Sequence, residues 1–166
     1  MDGYCPAGPY VIRSGERVGE KLELLMFSDY SFLCWLIRFI RLKEKHLKKR
    51  NSLHLHLEWL MERGENRRPV MLCPYCHKRP VRYFAVLFGQ TNSEISVGYP
   101  FTSCEQEGCI KKLGEPTFVL PFRFSSMRPL YVRTKRNQKK VAELFKGVFG
   151  LPKHLTAKAA FNFFNI

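Results

Sequence analysis

Four of the six cysteines fall into two pairs, Cys73 and Cys76 in CPYC, and Cys104 and Cys109 in CEQEGC. A CxxC turn lets two thiolates reach one ion from a single tight bend, and Pro74 favours that bend. Four thiolates complete a tetrahedral shell, the coordination of structural Zn²⁺. The second pair is separated by four residues, a looser spacing than the first. His77 directly follows Cys76 and stands as an alternative to one thiolate. Two other readings compete. A CxxC redox pair expects a βαβ context, which the flanks lack, and four buried free thiols need no ion at all. The zinc reading is preferred. A catalytic zinc needs an open position and a nearby general base. CPYCHKRP contains no carboxylate, so the metal is expected to fasten the fold.

The elements that must position these thiols can be read from periodicity. Val81, Tyr83, Ala85 and Leu87 alternate with Arg82, Phe84, Val86 and Phe88, and both sets are largely apolar. That pattern predicts a strand buried on both faces. GQTNSE reads as a turn and ISVGYPF as the returning strand, so a β-hairpin joins the two cysteine pairs. Upstream, YVIRSGERVGEKLELLM reads as a strand, a tight turn on Gly15 and Gly19, and a short helix. Ser28 or Asp29 would cap the next element, where Phe32, Leu33, Leu36, Phe39 and Ile40 form one helical stripe. LHLHLEWLMERG reads as a further helix ended by Gly64, with His54 and His56 on its surface. Downstream, 116–135 reads as extended, broken by Pro116, Pro121 and Pro129. Val141, Leu144, Phe145, Val148 and Phe149 then follow helical spacing. GLP at 150–152 stops that helix, and Thr156 is placed to cap a last one.

The expectation is therefore an α+β protein. Residues 1–64 would be a hairpin plus helices, and 65–115 a four-cysteine zinc hairpin module. Residues 116–166 would be a basic extended segment and a helix pair. GENRRP is the best internal boundary.

Charge indicates the partner. The chain of 166 residues carries 28 Lys+Arg against 14 Asp+Glu, a formal charge of +14. Such an excess favours a polyanion, nucleic acid first. The first basic run holds Lys45, Lys48 and Lys49 among others. The second, FRFSSMRPLYVRTKRNQKK, holds Arg123, Arg128, Arg133, Lys135, Arg136, Lys139 and Lys140 with no acid. Lys78, Arg79 and Arg82 flank the first cysteine pair. Phe122, Phe124 and Tyr131 interleave with the second run, where aromatics can stack on unpaired bases or simply fill the core. The start, MDGYCPAGPY, shows no basic region followed by an apolar run and so does not read as a secretory signal, and the most apolar stretch is interrupted by Glu23, Asp29 and Arg38. The expected compartment is cytoplasmic, or nuclear in a cell with a nucleus, where thiols stay reduced and no membrane is involved.

The acids are scattered. No DxD, no HNH-like group and no Gly-rich phosphate loop is present. Glu58 and Glu62 share a helix face, but with Arg63 and Arg67 nearby they read as a surface ion-pair cluster. The expectation is a non-catalytic protein that binds RNA or DNA, as a subunit of a larger nucleoprotein complex with protein partners. A protein-interaction adaptor using the Phe-rich C-terminal helices is the alternative. A metal-dependent nuclease with a dispersed acidic site comes third.

SGERVGEKLELLMFSDYSFLCWL, residues 14–36, resembles a small accessory domain at the C-terminus of some DnaQ-like exonucleases. The matching positions are Gly15, Gly19, Leu22, Glu23, Asp29, Phe32, Trp35 and Leu36. The resemblance covers under a fifth of the chain. It implies a helper module in nucleic-acid processing, since the accessory domain is not itself the nuclease. Residues 70–109 resemble zinc-ribbon and treble-clef modules, which occur in many nucleic-acid machines, including some CRISPR effector subunits.

Overall fold

A computed structural model describes residues 4–29, 32, 35, 36, 38, 51–88, 95–96, 102–113, 118–123 and 135–165. It divides the chain into two compact units, one of Met1–Asn66 with His154–Ile166, the other of Arg67–Lys153. The cut between Asn66 and Arg67 falls inside GENRRP. The last helix folds with the N-terminal residues, while the described residues 118–123 and 135–153 belong to the unit that holds the cysteines.

The first unit begins with a hairpin. Val11 bridges Lys21, and the Ile12 amide donates to the Glu20 carbonyl at 3.0 Å. Gly15 and Gly19 turn the chain with φ of +89° and +87°, a region that side chains with a Cβ rarely enter. Helix α1, Leu22–Ser28, follows and buries Leu22, Leu25, Met26 and Phe27. Helix α2, Ser52–Glu65, is capped by Asn51, whose side chain accepts from the His54 amide. Glu65 and not Gly64 is its last residue, and Gly64 is buried inside it.

The second unit is built on strand β1, Tyr83–Phe88. It pairs antiparallel with β2 (Ile95–Ser96), β3 (Thr102–Ser103) and β4 (Phe118–Pro121). Phe84 and Ala85 are consecutive, so they point to opposite faces, and both are fully buried. The strand centre is thus covered on both sides, as its two apolar faces demand. Between β3 and β4 lies a short helix α3, Glu107–Lys111. Helix α4, Lys135–Val148, presents Val141, Leu144, Phe145 and Val148 to the core. It ends in a left-handed cap: Gly150 has φ +68°, the Leu151 amide donates to the Lys146 carbonyl, and the Gly150 amide to the Gly147 carbonyl.

Helix α5, Ala157–Phe164, closes the first unit and is capped by the Thr156 hydroxyl, which accepts from the Ala159 amide at 3.2 Å. Its Phe163 and Phe164 rings meet Phe27 at 5.4 and 5.7 Å. Phe161 stacks on Trp59 of α2 at 5.8 Å. Phe161 and Phe164 are buried and Phe163 is half-buried, so much of the aromatic surface at the end of the chain is used in packing within this unit. Among the described residues no helix is long and apolar enough to cross a membrane.

Candidate metal centre

The loop carrying the first cysteine pair is pinched at its base by a bridge between Leu72 and Pro80. Inside it the Cys73 amide donates to the Arg79 carbonyl at 2.8 Å and the His77 amide to the Cys73 carbonyl at 2.9 Å. His77 takes φ +54°, which lets the chain reverse directly after Cys76. Cys104 follows β3, and Cys109 sits within α3, so the hairpin returns the second pair to the first.

The four Sγ atoms all lie within 4.8 Å of one another, and Cys76 and Cys104 are 3.8 Å apart. A tetrahedral ion with metal–sulfur bonds of about 2.3 Å needs sulfur–sulfur edges of about 3.8 Å. The cluster therefore has the dimensions to hold one metal ion. Cys73, Cys104 and Cys109 are buried and Cys76 is half-buried. The ring of His77 lies on the exposed surface, outside this cluster.

Electrostatics divides the two pairs. Backbone N–H groups of Lys78 and then Arg79 point at the Cys76 sulfur and bring its pKa down to about 6. Burial pushes Cys73 up, but donors from Tyr75, Cys76 and Cys104 outweigh it, so its thiol is lowered. Burial raises Cys104. Burial, followed by the neighbouring thiols, pushes Cys109 up to about 12. Four sulfurs this close repel one another as thiolates, and a cation at their centre relieves the conflict.

The basic residues divide by position. Lys78, Arg79, Arg82, Arg123, Lys139 and Lys140 are exposed. Arg79 pairs with Glu105 at 3.3 Å across the surface. Arg82 and Arg123 are close along the backbone, because the Phe122 amide donates to the Arg82 carbonyl. Lys135 and Arg136 open α4. Lys45, Lys48, Lys49, Phe124, Arg128, Tyr131 and Arg133 lie outside the described residues. Phe122 is buried, with its ring against Phe84, Phe145 and Phe149 at 5.2, 4.9 and 6.1 Å, so it is a core residue rather than a stacking platform.

Two features of the first unit escaped the sequence reading. His54 and His56 are buried, not on a helix surface, because α2 packs a wide face that includes Leu57, Trp59 and Leu60. His56 Nε2 meets Glu23 Oε1 at 2.6 Å, and its Nδ1 meets the Tyr4 hydroxyl at 2.9 Å. The Tyr10 amide donates to both Glu23 oxygens at 3.1 Å. Nothing in sequence links partners so far apart. The second feature is an exposed tryptophan, Trp35. It had a visible signal, since it falls off the stripe that includes Phe32, Leu33 and Leu36.

Comparison with protein-family models, curated proteins and solved structures finds no match for this chain.

Proposed function

We propose that this chain is a non-catalytic, zinc-stabilised nucleic-acid-binding protein that works as a subunit of a larger nucleoprotein complex. The observation that carries the reading is the four-thiol cluster in the middle of a strongly basic chain. An all-sulfur tetrahedral set suits Zn²⁺ or iron, and a closed shell of four thiolates leaves no position for substrate or water. The metal's role is then to fix the turn after Cys76 and the end of β3, from which Lys78, Arg79 and Arg82 reach solvent. Arg123, Lys139 and Lys140 add further exposed cations in the same unit. These groups suit phosphate neutralisation rather than base readout.

Elemental analysis of the purified protein, combined with binding to labelled oligonucleotides across a salt series, tests the reading. Zinc at about one ion per chain is expected, with affinity falling steeply as salt rises. Iron in place of zinc would change the metal and leave the partner. Salt-insensitive binding, or none, would remove the partner.

A further inference from the structure

Exposure alternates along residues 68–73. Arg68, Val70 and Leu72 face solvent, whereas Pro69 and Cys73 are buried and Met71 is half-buried. A period of two belongs to a strand with one covered face. Val70 is 61 % exposed and Leu72 49 %, and they are the exposed large apolar side chains of the second unit among the described residues. The segment is firmly held from its inner side. The Cys73 amide donates to the Arg79 carbonyl and the Val81 amide to the Met71 carbonyl. These two bonds flank the bridge between Leu72 and Pro80, so the N–H and C=O of Leu72 itself point away from Pro80. Neither group has a backbone partner among the described residues. Next on the same edge, the Val70 amide is taken by the Val148 carbonyl at the end of α4. Met71 rests on that helix too, since a Cβ on Gly147 would lie 3.2 Å from its Cε. A rigid edge is thus left open at Leu72.

We propose that the edge at 68–72 receives a strand from a protein partner, an extended segment in which apolar and acidic residues alternate. Such a segment gives Leu72 a carbonyl for its N–H and an N–H for its carbonyl. Its alternate side chains cover Val70 and Leu72. An open edge bearing apolar side chains is a template for another strand. Charge selects which strand. Residues 67–82 hold Arg67, Arg68, Lys78, Arg79 and Arg82 and no acid. Arg68 heads the exposed row, and Lys78 is exposed beyond the bridge. The surface already accepts one carboxylate, where Arg79 meets Glu105 at 3.3 Å. A second copy of this chain would set these cations against themselves, which disfavours it. A nucleic acid meets cations but offers no apolar strand to Val70 and Leu72. The inference goes beyond the nucleic-acid reading and does not depend on it.

The test uses the full chain supplied with zinc and a labelled peptide of alternating glutamate and valine. Fluorescence anisotropy reads binding, and hydrogen exchange of the Leu72 amide reads its place. That amide is expected to exchange fast in the free protein and to slow about tenfold or more with peptide bound. The same peptide, N-methylated on the backbone nitrogens that would pair, should lose binding, because it keeps its charge and loses its donors. Leu72→Asp should weaken the peptide roughly tenfold, since it removes an apolar contact and sets a like charge against the probe. Arg68→Glu, farther from the thiols, should weaken it as well, and unchanged metal content in both variants excludes misfolding. Equal binding by the N-methylated peptide or by polyglutamate, or Leu72 exchange unmoved by saturating peptide, would overturn the edge and leave charge alone. Self-association that Leu72→Asp abolishes would overturn the acidic partner in favour of a second copy. Slowing of Leu72 exchange by an oligonucleotide and not by the peptide would overturn it in favour of nucleic acid.

Discussion

Glu23 and His56, separated by 33 positions in sequence, meet through a 2.6 Å hydrogen bond with side chains that are 0 % and 1 % exposed. Tyr10 adds its amide to both carboxylate oxygens, and Tyr4 adds its hydroxyl to the far ring nitrogen. The arrangement ties the N-terminal segment, α1 and α2 together around a buried Glu23–His56 pair, with the half-buried Tyr4 and Tyr10 at its edge. Removing one member leaves the other buried with its main partner gone, keeping only the Tyr4 hydroxyl on His56 or the Tyr10 amide on Glu23, which costs more than the pair itself contributes. Glu23→Ala and His56→Ala are each expected to lower stability by about 3 kcal/mol. The double variant should lose clearly less than the sum, because the second deletion removes a group whose main partner is already gone. Urea unfolding of the three variants gives these values, and strict additivity would mean that the two side chains do not act as a unit.

The metal-free cysteines should differ sharply in reactivity. With its thiol near 6, Cys76 is a thiolate at neutral pH and is half-buried, whereas Cys109 near 12 is protonated and buried. The thiolate is the nucleophile. Iodoacetamide at pH 7 is expected to modify Cys76 first among the four and Cys109 last, as read by peptide mass spectrometry. Acidifying below about 6 protonates Cys76 and should slow its modification. With metal bound, all four should be protected while exposed Cys5 still reacts. Equal rates at the four positions in both states would argue against the cluster.

His77 separates the ligand question from the backbone question. Its φ of +54° suits glycine better than a residue with a Cβ, and its ring is exposed. His77→Gly should keep the metal stoichiometry and hold or raise stability by up to about 1 kcal/mol. His77→Val should lower stability by roughly 1 kcal/mol, because branching at Cβ disfavours this region. Loss of metal in His77→Gly would restore histidine as a ligand.

Gly150 is constrained twice. Its φ is +68°, and a Cβ placed there would lie 2.9 Å from Val70 Cγ2. Gly150→Ala is expected to cost about 1 to 2 kcal/mol by breaking the cap of α4 and displacing Val70. Thermal unfolding measures this, and an unchanged midpoint would mean that the cap relaxes freely.

Much of this was legible because it is local. The cysteine spacings, the Gly15 and Gly19 turn, the Thr156 cap and the apolar stripe of α4 each depend on residues a few positions apart. The structure places the thiols as the spacing required. Apart from the exposure of Trp35, the hidden features depend on distant partners. His56 looks like a surface residue until Glu23 arrives from α1. Phe122 sits in a basic run and looks available until Phe84 and Phe145 enclose it. The allegiance of α5 was equally invisible, since its phenylalanines would suit any apolar surface, and only Phe27 and Trp59 decide which one.

The division of the chain also bears on how it is made. On the ribosome, residues 67–153 emerge complete before α5, so Phe27 and Trp59 wait for the ring partners that close their core. All four thiols exist once Cys109 has been synthesised, so a metal ion held by them would be taken up ahead of that closure. The amides of Val70 and Met71 both donate to the Val148 carbonyl, so the folded second unit holds its entry and exit side by side. The span that α5 must cross to reach α2 then shrinks from roughly 90 residues to about fourteen, worth about 1.7 kcal/mol of chain entropy. Scarcity of metal during synthesis would accordingly be felt in a part of the molecule that contains none of the four thiols.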